Sequence, residues 1–148
     1  MVKFQNVSKI YPPNVSGCQL ITALEEVSFE VKPKEFISNV GKSGAGKTTL
    51  LKLLLAEEKP TNGNIFFDGR DVHKIKPGKL PWLRQRIGAV FQDYKLLPSK
   101  TVFENVAYIM EVIGASDEEI RRDVPQVLEL VGLHDRINNS PLELSGGE

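Results

Sequence analysis

One stretch of eight residues limits what this chain can fold into more than any other feature. Residues 41–48 read GKSGAGKT and match the pattern G-x-x-x-x-G-K-[ST] at every position, between an apolar run at 36–40 and an apolar helical pattern that starts at Thr48. Glycines at three positions let the backbone curl so that successive N–H groups point at one anion. The helix that follows adds the positive end of its dipole. The pattern therefore predicts a phosphate-binding loop between a strand and a helix.

The residue types in this loop indicate a nucleoside triphosphate bound with Mg²⁺. Lys47 can bridge β- and γ-phosphate oxygens, and the Thr48 hydroxyl can bind Mg²⁺. The alternative is a glycine-rich turn with an incidental lysine, which leaves the agreement of the whole motif and both flanks unexplained. The loop alone does not separate the families that use it, and a small-molecule kinase remains an alternative on this motif.

Composition places the loop in a globular chain of about one domain. The chain has 148 residues, of which 41% are hydrophobic and 26% are charged. Nineteen basic residues balance nineteen acidic ones, which disfavours a nucleic-acid partner because such binding needs a basic excess. The single cysteine, Cys18, excludes an intrachain disulfide and favours a reducing, cytosolic compartment. No apolar run resembles a signal peptide or spans a bilayer, so we expect any membrane association to need a partner.

The first part of the chain reads mostly as strands. They are expected at 2–7, 24–31, 36–40, 65–68 and 87–92. The helix after the loop is apolar around nearly its whole circumference over 50–56, which is typical of a helix buried between layers. Asn39 is unusual in the expected 36–40 strand, because a strand buried on both faces is normally almost all apolar.

The second part reads as helices. Two capping boxes, Thr101-x-x-Glu104 and Ser116-x-x-Glu119, predict helix starts. Pro125 predicts a break in the second helix, with Asp123 capping a new one. We therefore expect a strand-rich part at 1–92 and a helical part at 93–148.

A second motif, LSGGE at 144–148, indicates the family. Alone it fits a serine-capped helix start or a flexible tail. Together with the phosphate loop, and with Gln92 at the end of an expected strand between them, it resembles the signature motif of ATP-binding-cassette (ABC) ATPases, and Gln92 resembles their Q-loop glutamine. Tyr11 lies where that family places an aromatic residue that stacks on adenine; the alternative is an ordinary tyrosine at a strand end. The resemblance covers the entire chain.

The resemblance implies an α/β fold: a P-loop NTPase core with an ABC-type antiparallel β subdomain and a helical subdomain, truncated before the Walker B strand. The core and β subdomain would take 1–92 and the helical signature subdomain 93–148, both partial. The family's acidic general base has no counterpart here, because Asp68 precedes Gly69 in the wrong place and Asp93 directly follows Gln92. Its switch histidine has none either, because neither His73 nor His134 sits in a suitable motif. We therefore expect an N-terminal fragment of a Mg-dependent ATPase, one that does not itself hydrolyse ATP efficiently.

The resemblance also implies a role for each motif residue. Contacts to ATP would come from Tyr11 and from Gly41, Lys42, Ser43, Gly44, Ala45, Gly46, Lys47, Thr48 and Thr49. Lys47 and Gln92 would be catalytic, and Thr48 and Gln92 would hold Mg²⁺. In the head-to-tail homodimer of the family, Ser145, Gly146 and Gly147 would reach the ATP of the other protomer, because Ser145 can cap a helix whose first N–H groups are unpaired.

The stretches GAVFQDYKLLPSKTVFENVAY and EVIGASDEEIRRDVPQVLELVGL are similar to the family's bacterial cell-division ATPases. This similarity implies an integral membrane partner that holds the protein in the cytoplasm, on the inner face of the cell membrane. It also implies that the partner contacts residues 94–104. Packing within the helical subdomain is the alternative for that segment. The alternative functions are an ATPase of a lipoprotein-releasing or macrolide-export transporter and a non-hydrolysing ATP-binding regulatory module. An ATPase of DNA repair or chromosome maintenance fits the neutral charge less well.

Overall fold

A computed structural model describes residues 1–13 and 19–148, which form two compact units, Met1–Ala89 and Val90–Glu148. Cys18 lies outside the described residues. Each unit has a hydrophobic core of its own. Among the described helices, none combines the length and the apolar character needed to cross a membrane.

The first unit is built on a four-stranded antiparallel sheet with the order β2-β1-β3-β4. The strands are β1 (Val2–Tyr11), β2 (Ile21–Val31), β3 (Asn62–Phe67) and β4 (Arg70–Asp71). In the central strand β1, Phe4 lies opposite Phe29 on one side and Ile65 on the other, and the two phenylalanine rings stack with their centroids 4.6 Å apart. A register shift between Phe4 and Val7, with Asn6 at a φ of 48°, turns both apolar side chains to the buried face.

Two helices complete this unit, α1 (Lys47–Leu54) and α2 (Leu80–Gln85), and each places one fully buried leucine in the core, Leu53 and Leu83. Single 3₁₀ turns at Val72–Lys74 and Pro77–Lys79 lead into α2. The expectation that α1 is buried on all sides was wrong, because Leu51 is 52% exposed. The described sheet covers one side of the helix only.

The segments 36–40 and 87–92 form no strands in the structure, so these two predictions were wrong. Phe36 is 92% exposed and Val40 is 84% exposed. A strand needs a neighbour to pair its N–H and C=O groups, and the sheet formed by the described residues offers none to these segments. Asn39 is exposed and therefore bears no burial penalty, and with Ile37 it borders an apolar cavity of about 660 Å³ beside α1.

The second unit is built on α3 (Val102–Val112) and α4 (Asp117–Leu130), followed by 3₁₀ turns at His134–Arg136 and Pro141–Glu143. Both expected capping boxes are confirmed. A third, formed by Ser140 and Glu143, was missed although it has the same spacing. In the first box, the Glu104 carboxylate accepts a hydrogen bond from the Thr101 backbone N–H and another from the Lys100 ammonium. These bonds lower the pKa of Glu104 to about 2, and the side chain is therefore ionised at neutral pH.

Pro125 lies inside α4 and does not end it, so the predicted break and the new cap at Asp123 were wrong. The buried side chains Ile120, Val124 and Leu128 follow one another at intervals of four residues, and this stripe continues through the proline. Proline removes one helical hydrogen bond to the carbonyl of Arg121. Arg121 lies on the exposed side of α4, and the packed stripe outweighs the local loss.

Replacing Pro125 with alanine is expected to stabilise the second unit. The change restores a backbone hydrogen-bond donor inside α4. It also makes the unfolded chain less rigid, which offsets part of the effect, so the free energy of unfolding should rise by about 1–2 kcal/mol. Denaturant unfolding followed by circular dichroism measures it. Gln126→Ala, at the exposed neighbouring position, serves as the control and should change stability by less than about 0.5 kcal/mol. A less stable Pro125→Ala variant would show that the ring's packing matters more than the missing bond.

Candidate nucleotide-binding site

The phosphate loop is shaped by glycines in the left-handed region. Gly44 and Gly46 have φ angles of 80° and 82°. A Cβ atom built on Gly46 would lie 2.3 Å from the backbone oxygen of Ala23 and 2.8 Å from a methyl group of Leu24. Only glycine fits at this position, because the loop packs directly against β2 there. The helix α1 begins at the next residue.

Lys47 folds back over the loop. Its Nζ donates hydrogen bonds to the carbonyl oxygens of Gly41 and Lys42, both at 2.7 Å. These two neutral carbonyls hold the ammonium group in place without cancelling its charge. A positive charge is therefore fixed beside the loop, where an anion would receive a charge-assisted hydrogen bond.

The start of α1 leaves its backbone donors open to an anion. Gly46 precedes the helix and provides no side-chain cap, and the first turn contains no acidic residue. The first N–H groups of a helix have no partner within the helix, and the helix dipole favours negative charge there. With Lys47 beside them, these groups fit a phosphate.

The Thr48 hydroxyl lies in the same first turn and is exposed. Across residues 1–13 and 19–148, no group of three or more His, Cys, Asp and Glu side chains could hold a metal ion. The Thr48 hydroxyl and the phosphate oxygens of a nucleotide are oxygen ligands of the kind that Mg²⁺ prefers.

Tyr11 lies at the end of β1 and reaches α1. Its hydroxyl donates to Glu58 Oε2 at 2.6 Å and lies 3.5 Å from Thr49 Oγ1. The ammonium group of Lys9 is 4.8 Å from the centre of the ring. Burial and the bond to Glu58 raise the pKa of the Tyr11 hydroxyl, while the same bond lowers the pKa of the Glu58 carboxyl. A neutral phenol thus donates to a carboxylate at neutral pH.

Glu58 is the residue of this site that sequence reasoning missed. It belongs to no motif, and only the folded chain brings it to Tyr11, 47 positions away. The single signal in the sequence was a pair of acidic residues, Glu57 and Glu58, after the apolar run at 50–56, which is too common to be specific.

The remaining expected site residues lie in the second unit. Gln92 is exposed and lies within a turn that follows Phe91. Residues 145–148 form a turn in which the Ser145 N–H donates to Glu148 Oε2 at 2.9 Å and the Glu148 N–H donates to the Ser145 carbonyl oxygen at 3.1 Å. A Cβ atom on Gly146 would lie 3.0 Å from the Tyr94 hydroxyl. The signature segment is therefore a turn closed by reciprocal bonds.

Comparisons with known proteins found relatives that match the whole chain. The sequence profile described as "ABC transporter" matches residues 24–148. The chain is 45% identical over its full length to the cell division ATP-binding protein FtsE of Escherichia coli K12 and covers 64% of that protein. It is 52% identical over 127 residues, or 86% of the chain, to FtsE of Streptococcus pneumoniae D39, of which this match covers 55%.

A solved structure shows the same fold. It is a dimeric post-hydrolysis state of an ATP-binding cassette bound to ADP and Pi, with a TM-score of 0.85 and 37% identity, and the match covers 99% of this chain and 64% of that one. The chain thus spans less than two thirds of the length of these relatives.

Proposed function

Because this chain belongs to the ABC transporter family of ATP-binding proteins, we propose that it forms the ATP-binding part of an ABC-type membrane complex that acts in cell division, as FtsE does. The main observation in support is the phosphate loop, with Lys47 held over it by two carbonyls and an uncapped helix start below. The 45% identity to FtsE over the whole chain supports the cell-division role. An ATPase of the lipoprotein-releasing or macrolide-export type is the alternative within the family.

The loop residues bind and orient the triphosphate in this proposal. Backbone N–H groups of 41–49 surround the phosphates, and Lys47 leaves its two carbonyls to bind β- and γ-phosphate oxygens. Thr48 and Gln92 would hold Mg²⁺, which when bound neutralises the charge that develops on the phosphates. Tyr11 supplies a ring on which the base stacks.

The signature turn acts on a second copy of the protein. Ser145, Gly146 and Gly147 contact the ATP bound by the other protomer of a head-to-tail homodimer. A dimeric solved cassette with the same fold supports this arrangement. Hydrolysis needs a general base, which we propose is supplied from outside residues 1–148. Without that group, a non-hydrolysing ATP-binding module is the alternative function.

An FtsX-like integral membrane protein is the proposed partner, and it holds the ATPase on the inner face of the cell membrane. We place the contact at 94–104, where Leu96 and Leu97 are exposed large apolar side chains. Exposed apolar side chains close together are typical of surfaces that bind another protein.

Co-purification tests this function. The full-length protein is co-expressed with a tagged FtsX-like membrane protein and, separately, with a tagged membrane protein of the lipoprotein-releasing type. We expect retention by the first only, and loss of retention in a Leu96→Glu variant. Leu142→Glu, at another exposed leucine of the same unit, is the matched control and should be retained. Retention by the lipoprotein-type protein alone would overturn the cell-division role, and retention of Leu96→Glu would overturn the contact at 94–104.

A further inference from the structure

Glu58 connects the strand that ends in Tyr11 to the helix that begins in the phosphate loop. Its Oε2 accepts the Tyr11 hydroxyl at 2.6 Å and lies 3.3 Å from the Lys9 ammonium of the same strand. Its Oε1 accepts from the Lys52 ammonium of α1 at 3.4 Å. One carboxylate therefore joins β1 to α1.

A second contact holds the same ring from its face. The Lys9 ammonium lies 4.8 Å from the centre of the Tyr11 ring and also donates to the Lys59 carbonyl at 2.8 Å. Because Lys59 follows Glu58 directly, this bond keeps the segment that contains Glu58 next to β1. The ring is thus restrained at its hydroxyl by Glu58 and over its face by Lys9.

We propose that Glu58 is a positioning residue for the nucleotide base: it fixes the Tyr11 ring relative to the phosphate loop, so that one nucleotide can contact both. The inference rests on the proposed nucleotide function and on the stacking role of Tyr11. A tyrosine side chain that is held before binding loses less conformational freedom when the base arrives. A nucleotide without a base makes no use of the ring, so Glu58 should matter for ATP and be irrelevant to a bare polyphosphate.

The test compares ATP with inorganic tripolyphosphate on the full-length protein, both with Mg²⁺. Glu58→Ala is expected to weaken ATP binding about three- to tenfold, because the Tyr11 side chain must then be ordered when the base binds. Tripolyphosphate affinity should stay within about twofold. Glu58→Gln, whose amide oxygen still accepts the Tyr11 hydroxyl, should recover most of the ATP affinity. Glu57→Ala removes the same charge from the exposed neighbour and is the matched control.

Three outcomes overturn the proposal. Equal losses for ATP and tripolyphosphate would show that Glu58 acts only on the stability of the fold. Unchanged ATP affinity in Glu58→Ala, with a loss in Tyr11→Ala, would remove the role of Glu58 and leave the proposed function intact. Unchanged ATP affinity in Tyr11→Ala would remove the stacking role on which the proposal rests.

A second variant covers the case in which Glu58→Ala does not fold. Tyr11→Phe keeps the ring and the carboxylate and deletes only the hydroxyl that joins them. We expect the same selective loss of ATP affinity, and no selective loss in Tyr11→Phe would contradict the proposal.

Discussion

Replacing Lys47 with alanine is expected to lower the affinity for Mg·ATP by on the order of a hundredfold or more, because the ammonium would make charge-assisted hydrogen bonds to two phosphate oxygens. In the structure its Nζ is held by the Gly41 and Lys42 carbonyls, 2.7 Å away in each case. Alanine leaves this part of the loop without its fixed positive charge. Isothermal titration calorimetry on the full-length protein measures the effect.

Lys79→Ala is the control for this change, since Lys79 is an exposed lysine in the same unit that lies outside the loop and α1. It removes the same charge, so any general electrostatic effect appears in both variants. We expect the ATP affinity of Lys79→Ala to stay within about threefold of the unmodified protein. Unchanged ATP affinity in Lys47→Ala would contradict the assignment of the loop.

Replacing Gly46 with alanine is expected to destabilise the first unit by about 3 kcal/mol or more and to abolish nucleotide binding. The new methyl group would lie 2.3 Å from the Ala23 carbonyl oxygen, which is a backbone atom and cannot move aside cheaply. The loop and β2 would have to separate, and the start of α1 would shift with them. Thermal unfolding and ATP titration measure the two effects.

Gly69→Ala separates this collision from simple backbone strain. Gly69 has a φ of 76°, close to that of Gly46, but its Cβ would meet no atom within 4 Å. Gly69→Ala should therefore lower the free energy of unfolding only by the strain of a left-handed alanine, about 1–2 kcal/mol. Equal destabilisation by the two substitutions would show that close packing of the loop on β2 is unimportant.

Features coded by a short stretch of residues were predicted correctly from the sequence. The α/β fold class and the family follow from motifs, and the comparisons confirm both. The boxes at Thr101 and Ser116 also form as expected, since each needs only two side chains three positions apart. The roles of Tyr11, Gln92 and the signature residues stay predictions.

Features that depend on distant parts of the chain were not predicted. An apolar run such as 36–40 becomes a strand only beside another strand, and no periodicity reveals the neighbour. Pro125 remains inside α4 because Val124 and Leu128 pack on the core, which a local rule about proline does not include. Glu58 acquires its place in the site only when β1 and α1 come together.

Hydrogen exchange of the backbone amides, with and without Mg·ATP, tests the central claim most directly. The claim is that residues 41–49, with Tyr11 nearby, form the nucleotide site of this chain. We expect ATP to slow exchange at the loop amides and at the first turn of α1, with little change at β4 and no such effect in Lys47→Ala. Unaltered exchange over 41–49 at saturating ATP would contradict the account, as would protection confined to segments other than Tyr11, Gln92, 41–49 and 145–147.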